Sequence, residues 1–415
     1  MAFDDTGEGG ASAFAEVPFG TRLKLHRTRR GLTREVLGGL VGRSASWVKA
    51  LETGRLGTPR LPLLLRLAQA LRVRDLAELT GAGSIPVEPF SGPGHRRLPA
   101  VRAAVNAFAP PADRPAPPLP LLRSRLRGAW LARHAAPDHR EVLGALLPGL
   151  ITDAQAAVLG AAKECERRTA RALLSEVYSL AQFFLAYQPA QNLLWRVCES
   201  AVVTAREADD PRSLGIAAWL MVQAHRDAGD WDAADAVTAG ALEHLGAHLA
   251  DTDSDELLSL WGALQFEAGH TAARRGESGA AWHRWDTALR AVARLPDGFY
   301  HPVTSFSRAV MGAHAVTVAV ELRNGGEGVR QALRAQAHTI PSRPRRARHR
   351  IEQARAHRLD GREGEALELL AQAHAAAPET IRYNGHARAM IAEGLSSREH
   401  RAQAAALADR VGVPA

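Results

Sequence analysis

The chain has only two cysteines, Cys165 and Cys198, in 415 residues. They lack metal or redox spacing, which excludes a zinc module and a disulfide framework and fits a reducing compartment. Lysine is nearly absent as well: Lys24, Lys49 and Lys163 are the only three, so arginine carries the positive charge. None of the three follows a glycine. A P-loop, whose lysine stands in Gly-Lys-Ser/Thr, is therefore excluded. The 17 histidines are scattered, with no His-Glu-x-x-His pair, and no Gly-x-Ser-x-Gly elbow occurs. The Tyr300-His301 pair after Pro296-Asp297-Gly298 reads as a packed loop, not a catalytic pair. An enzyme is not expected, and no cofactor or metal is implied. Period-two runs of β-branched residues are missing, so strands are not expected. No run approaches the ~18 uninterrupted apolar residues of a membrane span. Met1 to Gly10 is acidic and Gly-rich, without the basic and apolar regions of a signal peptide. A cytoplasmic protein is expected.

What is present is helical. Alanine and leucine dominate with a period near 3.6, broken at Gly, Pro and Asp, so the fold class is all-α. The length exceeds one ordinary core, and composition divides the chain. Residues 1–17 read as a disordered lead-in and residues 18–81 as a basic helical domain. Residues 82–120 hold ten of the 23 prolines and read as a linker. One short helix is possible within it, between His95 and Phe108. Residues 121–415 form a second helical region.

In the first domain, a helix is expected from about Phe19 to Arg30, with Phe19, Leu23 and Leu25 inward and Arg22, Lys24, Arg27, Arg29 and Arg30 outward. Thr33 can cap a second helix that buries Val36, Leu37 and Leu40. Gly42 stands where a tight turn needs positive φ. Ser44 caps a third helix carrying Trp47, Val48 and Leu51 and ending at Gly54. A fourth spans about Leu61 to Leu71, and a short fifth Arg74 to Leu79.

This register, Leu32-Thr33-Arg34-Glu35-Val36-Leu37-Gly38, Val41-Gly42, Ser44, Trp47-Val48 and Leu51-Glu52-Thr53-Gly54-Arg55, resembles the Cro/C1-type (XRE family) helix-turn-helix regulators over residues 19–80. The resemblance implies that the third helix enters the major groove of a double-stranded operator. Carried over by position, Ala45, Ser46, Lys49 and Ala50 would face base edges. Arg34 would hold a phosphate at the start of the second helix. Arg27, Arg43, Thr53 and Arg55 would meet the backbone, with Ser44 at the cap and Trp47 packing near the hinge or a sugar. Glutamine is usual where Arg34 stands, and longer polar residues where Ala45 and Ala50 stand. Alanine can only touch a thymine methyl, which leaves Lys49 and Ser46 as the main readers.

Charge agrees. Between Gly20 and Arg60 ten basic residues face two acidic ones, a local excess equal to the +8 of the whole chain. Phosphate attraction of that kind dominates DNA affinity.

The second region carries a repeat. Gly229, Gly276 and Gly361 are each followed by Ala five residues on (Ala234, Ala281, Ala366) and again after seven more (Ala241, Ala288, Ala373). Small residues there let paired helices approach closely. The pattern resembles tetratricopeptide (TPR) repeats, with looser spacing: 47 residues separate the first two glycines and 85 the next two. Degenerate pairs are expected over Ala172–Glu207 and Val303–Ile340, making five to seven helix pairs in a right-handed solenoid. In such repeats the first helix of each pair lines the concave face. That would place Trp219, Gln223, Arg226, Phe266, His270, Arg274, Arg348, Ile351 and Arg355 there, an arginine-rich surface suited to a carboxylate or phosphate. The basic run Ser342 to Arg350 reads as a helix start, the alternative being a second nucleic-acid contact.

The order of parts resembles bacterial regulators that join a Cro/C1-type domain to a TPR-like sensor. The resemblance implies a homodimer that binds DNA and senses a small molecule or peptide. The rival reading is a TPR-type interaction scaffold whose helix-turn-helix domain contacts a protein.

Overall fold

The computed structural model describes residues 17–73, 75–81, 94–111, 115–335 and 337–413. Among these residues there are twenty-one α-helices and one 3₁₀ turn, and no strand. Two compact units divide the chain at Pro93.

The first unit holds α1 (Phe19–Arg29), α2 (Arg34–Val41), α3 (Ala45–Glu52), α4 (Leu61–Leu71) and α5 (Ala77–Thr80). Its core is Leu23, Leu37, Val41, Val48, Leu51, Leu67, Leu71, Leu76 and Leu79. The expected buried stripes are only partly realised. Leu25, Val36 and Leu40 stand exposed, because short helices meeting at steep turns bury a narrower face than a long helix does. Conversely, Arg22 and Arg27 are buried, contrary to their expected outward placement. Arg74, the expected start of the fifth helix, and the lead-in up to residue 16 lie outside the described residues.

The second unit begins at Gly94, within the expected linker. Here α6 (Leu98–Asn106) buries Leu98, Val101 and Val105 in the unit's main core, so this stretch is packed structure despite the surrounding prolines. Residues 82–93, the rest of the Pro-rich approach, lie outside the described residues. Next come α7 (Leu119–Ala135) and α8 (His139–Gly160). The latter is long and apolar enough to cross a membrane, with half of that stretch buried. Its Leu143, Leu147, Leu150 and Ile151 lie in the main core.

Five helix pairs follow: α9 (Glu164–Leu185) with α10 (Gln191–Ala208), α11 (Pro211–Ala228) with α12 (Trp231–Asp251), α13 (Asp255–Arg275) with α14 (Ser278–Ala293), α15 (Arg308–Glu321) with α16 (Gly325–Arg334), and α17 (Arg343–Leu359) with α18 (Glu363–Ala376). Three short helices close the unit, α19 (Pro378–Arg382), α20 (Gly385–Ser396) and α21 (Arg401–Val411). First helices stack on first helices, α9 on α11, α11 on α13, α13 on α15 and α15 on α17. α7 packs against both α9 and α17, so six inner helices form a closed circuit.

The repeat signal has a plain physical basis. Gly229, Gly276 and Gly361 all have φ between 78° and 85°, which ends one helix and reverses the chain. The alanines five and twelve positions later are all buried, at 9% exposure or less. In the two degenerate pairs the left-handed residue is not glycine: Tyr187 (φ 66°) and Arg323 (φ 62°) fill it.

Candidate functional site

The turn between α2 and α3 is built by backbone constraints. Thr33 Oγ1 accepts from the Val36 amide, and Ser44 Oγ from the Trp47 amide, each at 3.2 Å. Gly42 ends α2 at φ 70°. Gly38 matters for another reason. A Cβ there would lie 2.6 Å from the Arg43 carbonyl oxygen, so only glycine lets the turn fold back onto α2. At Gly20 a Cβ would lie 2.3 Å from the Leu51 carbonyl, which fixes how closely α1 crosses α3.

Glu52 locks this arrangement. Its side chain is 1% exposed and receives Arg27 from α1 and Arg34 from α2. Arg27 also donates to the Leu32 carbonyl at 2.7 Å. Burial pushes the Glu52 carboxyl up, but hydrogen bonds from the two guanidiniums outweigh it and hold the group below the usual carboxylate range. Arg27 is thus committed inside the fold and is withdrawn from the expected phosphate contacts. Arg34 is two-thirds covered and its Nε is engaged at 2.7 Å, so its first partner is Glu52.

The remaining expected contacts gather on one element and its flanks. Arg43, Ser44, Ser46, Lys49, Thr53 and Arg55 are exposed, while Ala45, Trp47 and Ala50 are half-buried. The Arg43 guanidinium lies 5.8 Å from the Trp47 ring. Thr53 Oγ1 donates back to the Lys49 carbonyl at 2.9 Å. Lys24, Arg29, Arg30 and Arg60 are exposed too, against the exposed acids Glu35 and Glu78 among the described residues of this unit. The unit therefore offers solvent an excess of positive charge around α3, the arrangement that suits a phosphate backbone.

In the second unit, the residues expected on the concave face do lie on the inner helices α11, α13 and α17. Trp219, Phe266 and Ile351 are buried, and Gln223 donates to its own helix at Trp219 O. The arginines, however, are answered from within. Arg226 pairs with Glu267, and both are 5% exposed. Arg274 donates to Asp227 at 2.9 Å. Arg355 bridges Glu321 at 2.8 Å and Glu352 at 2.7 Å. Arg348 pairs with Glu352 and donates to the Tyr187 hydroxyl. His270 lies 3.9 Å from Glu321, which stays ionised far below its usual range because His270 and Arg355 outweigh its burial. Glu352 lies on α17 itself, one turn from Arg348 and from Arg355, but the sequence offered no sign of Glu267, Asp227, Glu321 or Tyr187, which come from other helices far along the chain.

The basic run is likewise engaged. Ser342 caps α17. Arg343 donates to the Ala376 carbonyl, Arg345 to that of Thr304 and Arg346 to that of Pro341, at 2.9–3.0 Å. Among the described residues no cluster of three metal-ligating side chains occurs.

Residues 18–80 match the family described as a helix-turn-helix domain. No curated protein matches the chain. Among solved structures, Bacillus thuringiensis PlcR in complex with the peptide PapR7 and DNA is similar at 12% identity and a TM-score of 0.36. That match covers 86% of this chain and 98% of the other.

Proposed function

We propose that this protein is a sequence-specific DNA-binding transcriptional regulator, dimeric when bound, whose second unit senses a small effector. The observation that carries the reading is the helix-turn-helix unit itself. Residues 18–80 match that domain, and α3 holds Ser46 and Lys49 exposed behind a Ser44 cap, amid exposed arginines. In this reading α3 enters the major groove. Lys49 and Ser46 reach base edges, and Arg43, Thr53 and Arg55 hold the backbone. Arg34 contributes to a phosphate only through whatever donors Glu52 leaves it.

With Ala45 and Ala50 in reading positions, each half-site supplies few base contacts, so two copies are needed for a useful specificity ratio. A sensing role for the second unit is supported by its construction, since ionisable and aromatic side chains converge among six inner helices, several of them buried.

The test is a gel-shift of the full chain on the DNA upstream of its own gene, at two salt concentrations. A shift that survives competitor DNA and weakens with salt is expected. Absence of any sequence-specific shift, there and across a genomic footprinting library, overturns the reading.

A further inference from the structure

The inner circuit of the second unit contains two guanidiniums, Arg133 and Arg345, that no carboxylate pairs with among the described residues. Arg133, on α7, is 5% exposed. Its Nη1 meets only His134 Nδ1, at 3.1 Å, and its Nε is buried without a partner. Arg345, on α17, donates to the Thr304 carbonyl at 3.0 Å and reaches Ser305 Oγ at 3.4 Å. Among the described residues no carboxylate pairs with either, although Arg226, Arg274, Arg348 and Arg355 all have one.

These two cations flank an aromatic pair. The Arg133 guanidinium lies 3.9 Å from the Phe183 ring centroid. Phe183 and Trp219 are 6.1 Å apart, and Arg345 lies 5.7 Å from Trp219. Beside them the Tyr300 hydroxyl is buried with no partner. Burial pushes both guanidiniums down, Arg133 to about 9, and the two repel each other. Buried charges in folded proteins are paired, and buried donors are satisfied. Two cations without a carboxylate, an idle guanidinium N–H and a nearby idle phenol therefore make a site whose charge and donors suit an anion.

We propose that Arg133, Arg345 and the Tyr300 hydroxyl bind the carboxylate of a small aryl-carboxylate ligand, whose ring packs on the Phe183–Trp219 wall. A carboxylate fits because it accepts from both guanidiniums and from the phenol at once. An aromatic body fits because the lining beyond the cations is Phe183, Trp219 and Trp130. Partial exposure of Arg345 and Tyr300 leaves a way in. This deepens the sensor reading of the second unit and rests on it; the paired arginines form the frame and the unpaired ones take the ligand.

The experiment uses the full chain in two arms. In calorimetric titrations benzoate, phenylacetate and indole-3-acetate are each compared with the corresponding carboxamide. At least one acid is expected to bind while its amide does not, and Arg133→Met or Arg345→Met should each weaken that binding about 10- to 100-fold. In the second arm the same single variants are melted without ligand. Each should melt at or above the wild-type temperature, because each removes an unpaired buried charge. Arg226→Met, which strands Glu267, should melt lower. Equal binding of acid and amide, no acid binding at all, unchanged binding in both variants, or lower melting of both variants overturns the proposal. Operator binding is read separately, so loss of the DNA reading and loss of this site give different results.

Discussion

Arg34 Nε donates to Glu52 Oε2 at 2.7 Å, tying the first residue of α2 to the last of α3 across the helix-turn-helix. With Arg27 on the same carboxylate, one acid holds three helices in register. Electrostatics at this site thus maintains the geometry of the proposed reading helix.

Replacing that acid should be costly. Glu52→Gln leaves Arg27 buried and uncompensated, and loss of one member of a buried pair costs about 3–5 kcal/mol. Denaturant melts of the variant should show that loss in the first unit, with DNA binding lost in parallel. The pH dependence has a definite sign. A depressed folded pKa means the contribution is present above the unfolded value, about 4.3, and is lost as pH falls through the lower folded value. The wild-type unit should therefore lose more stability on acidification across that window than the variant does.

DNA contacts should separate by kind. Arg43→Ala and Arg55→Ala should weaken binding across all sequences and lower the salt slope by about one each. Lys49→Ala should instead cost about 1–3 kcal/mol at one base position and relax preference there. Titrations at several salt concentrations on a randomised operator library measure both. Equal loss on every sequence for Lys49→Ala would remove it from base reading.

Gly38→Ala should destabilise the turn, since its Cβ would sit 2.6 Å from the Arg43 carbonyl oxygen, a backbone atom that cannot swing away. Overpacking of this sort costs about 1–3 kcal/mol. Gly39→Ala, one residue along, meets nothing within 4 Å and should be neutral or slightly stabilising in the helix. The difference between their melting temperatures is the measurement.

The loop before α15 should be acid-sensitive. His301 is fully buried, and its Nδ1 accepts from the amides of Val303 and Thr304 at 3.2 and 3.1 Å. Burial, then Arg212, pushes its pKa down to about 3. The neutral ring is the folded form, so its contribution is complete above the unfolded pKa of about 6.5 and falls by roughly 1.4 kcal/mol per pH unit below it. His301→Asn, which keeps an acceptor near the same place, should flatten the dependence of melting temperature on pH between 6.5 and 4. An unchanged slope would show that His301 does not titrate with unfolding.

Much was legible in the sequence because it is local. Capping by Thr33 and Ser44, the positive φ of Gly42, and the Gly–Ala–Ala spacing of three repeats each depend on residues within one turn or one helix pair. The absence of strands among the described residues was legible for the same reason, since period and propensity act over a few residues. The two degenerate pairs were harder to read because Tyr187 and Arg323 occupy the left-handed position that glycine marks elsewhere.

Only the tertiary structure decided which charges are free. The abundance of arginine was visible, but not that Arg27 belongs to Glu52 from 25 residues away, or Arg226 to Glu267 from 41. Nor was it visible that α17 returns to α7, bringing Arg345 near Arg133. A side chain's charge is fixed by its chemistry, and its period along a helix fixes which face it takes. Whether the charge of Arg27, Arg226, Arg133 or Arg345 is spent on a partner or left for a ligand depends on helices distant in sequence, and local pattern carries no information about them.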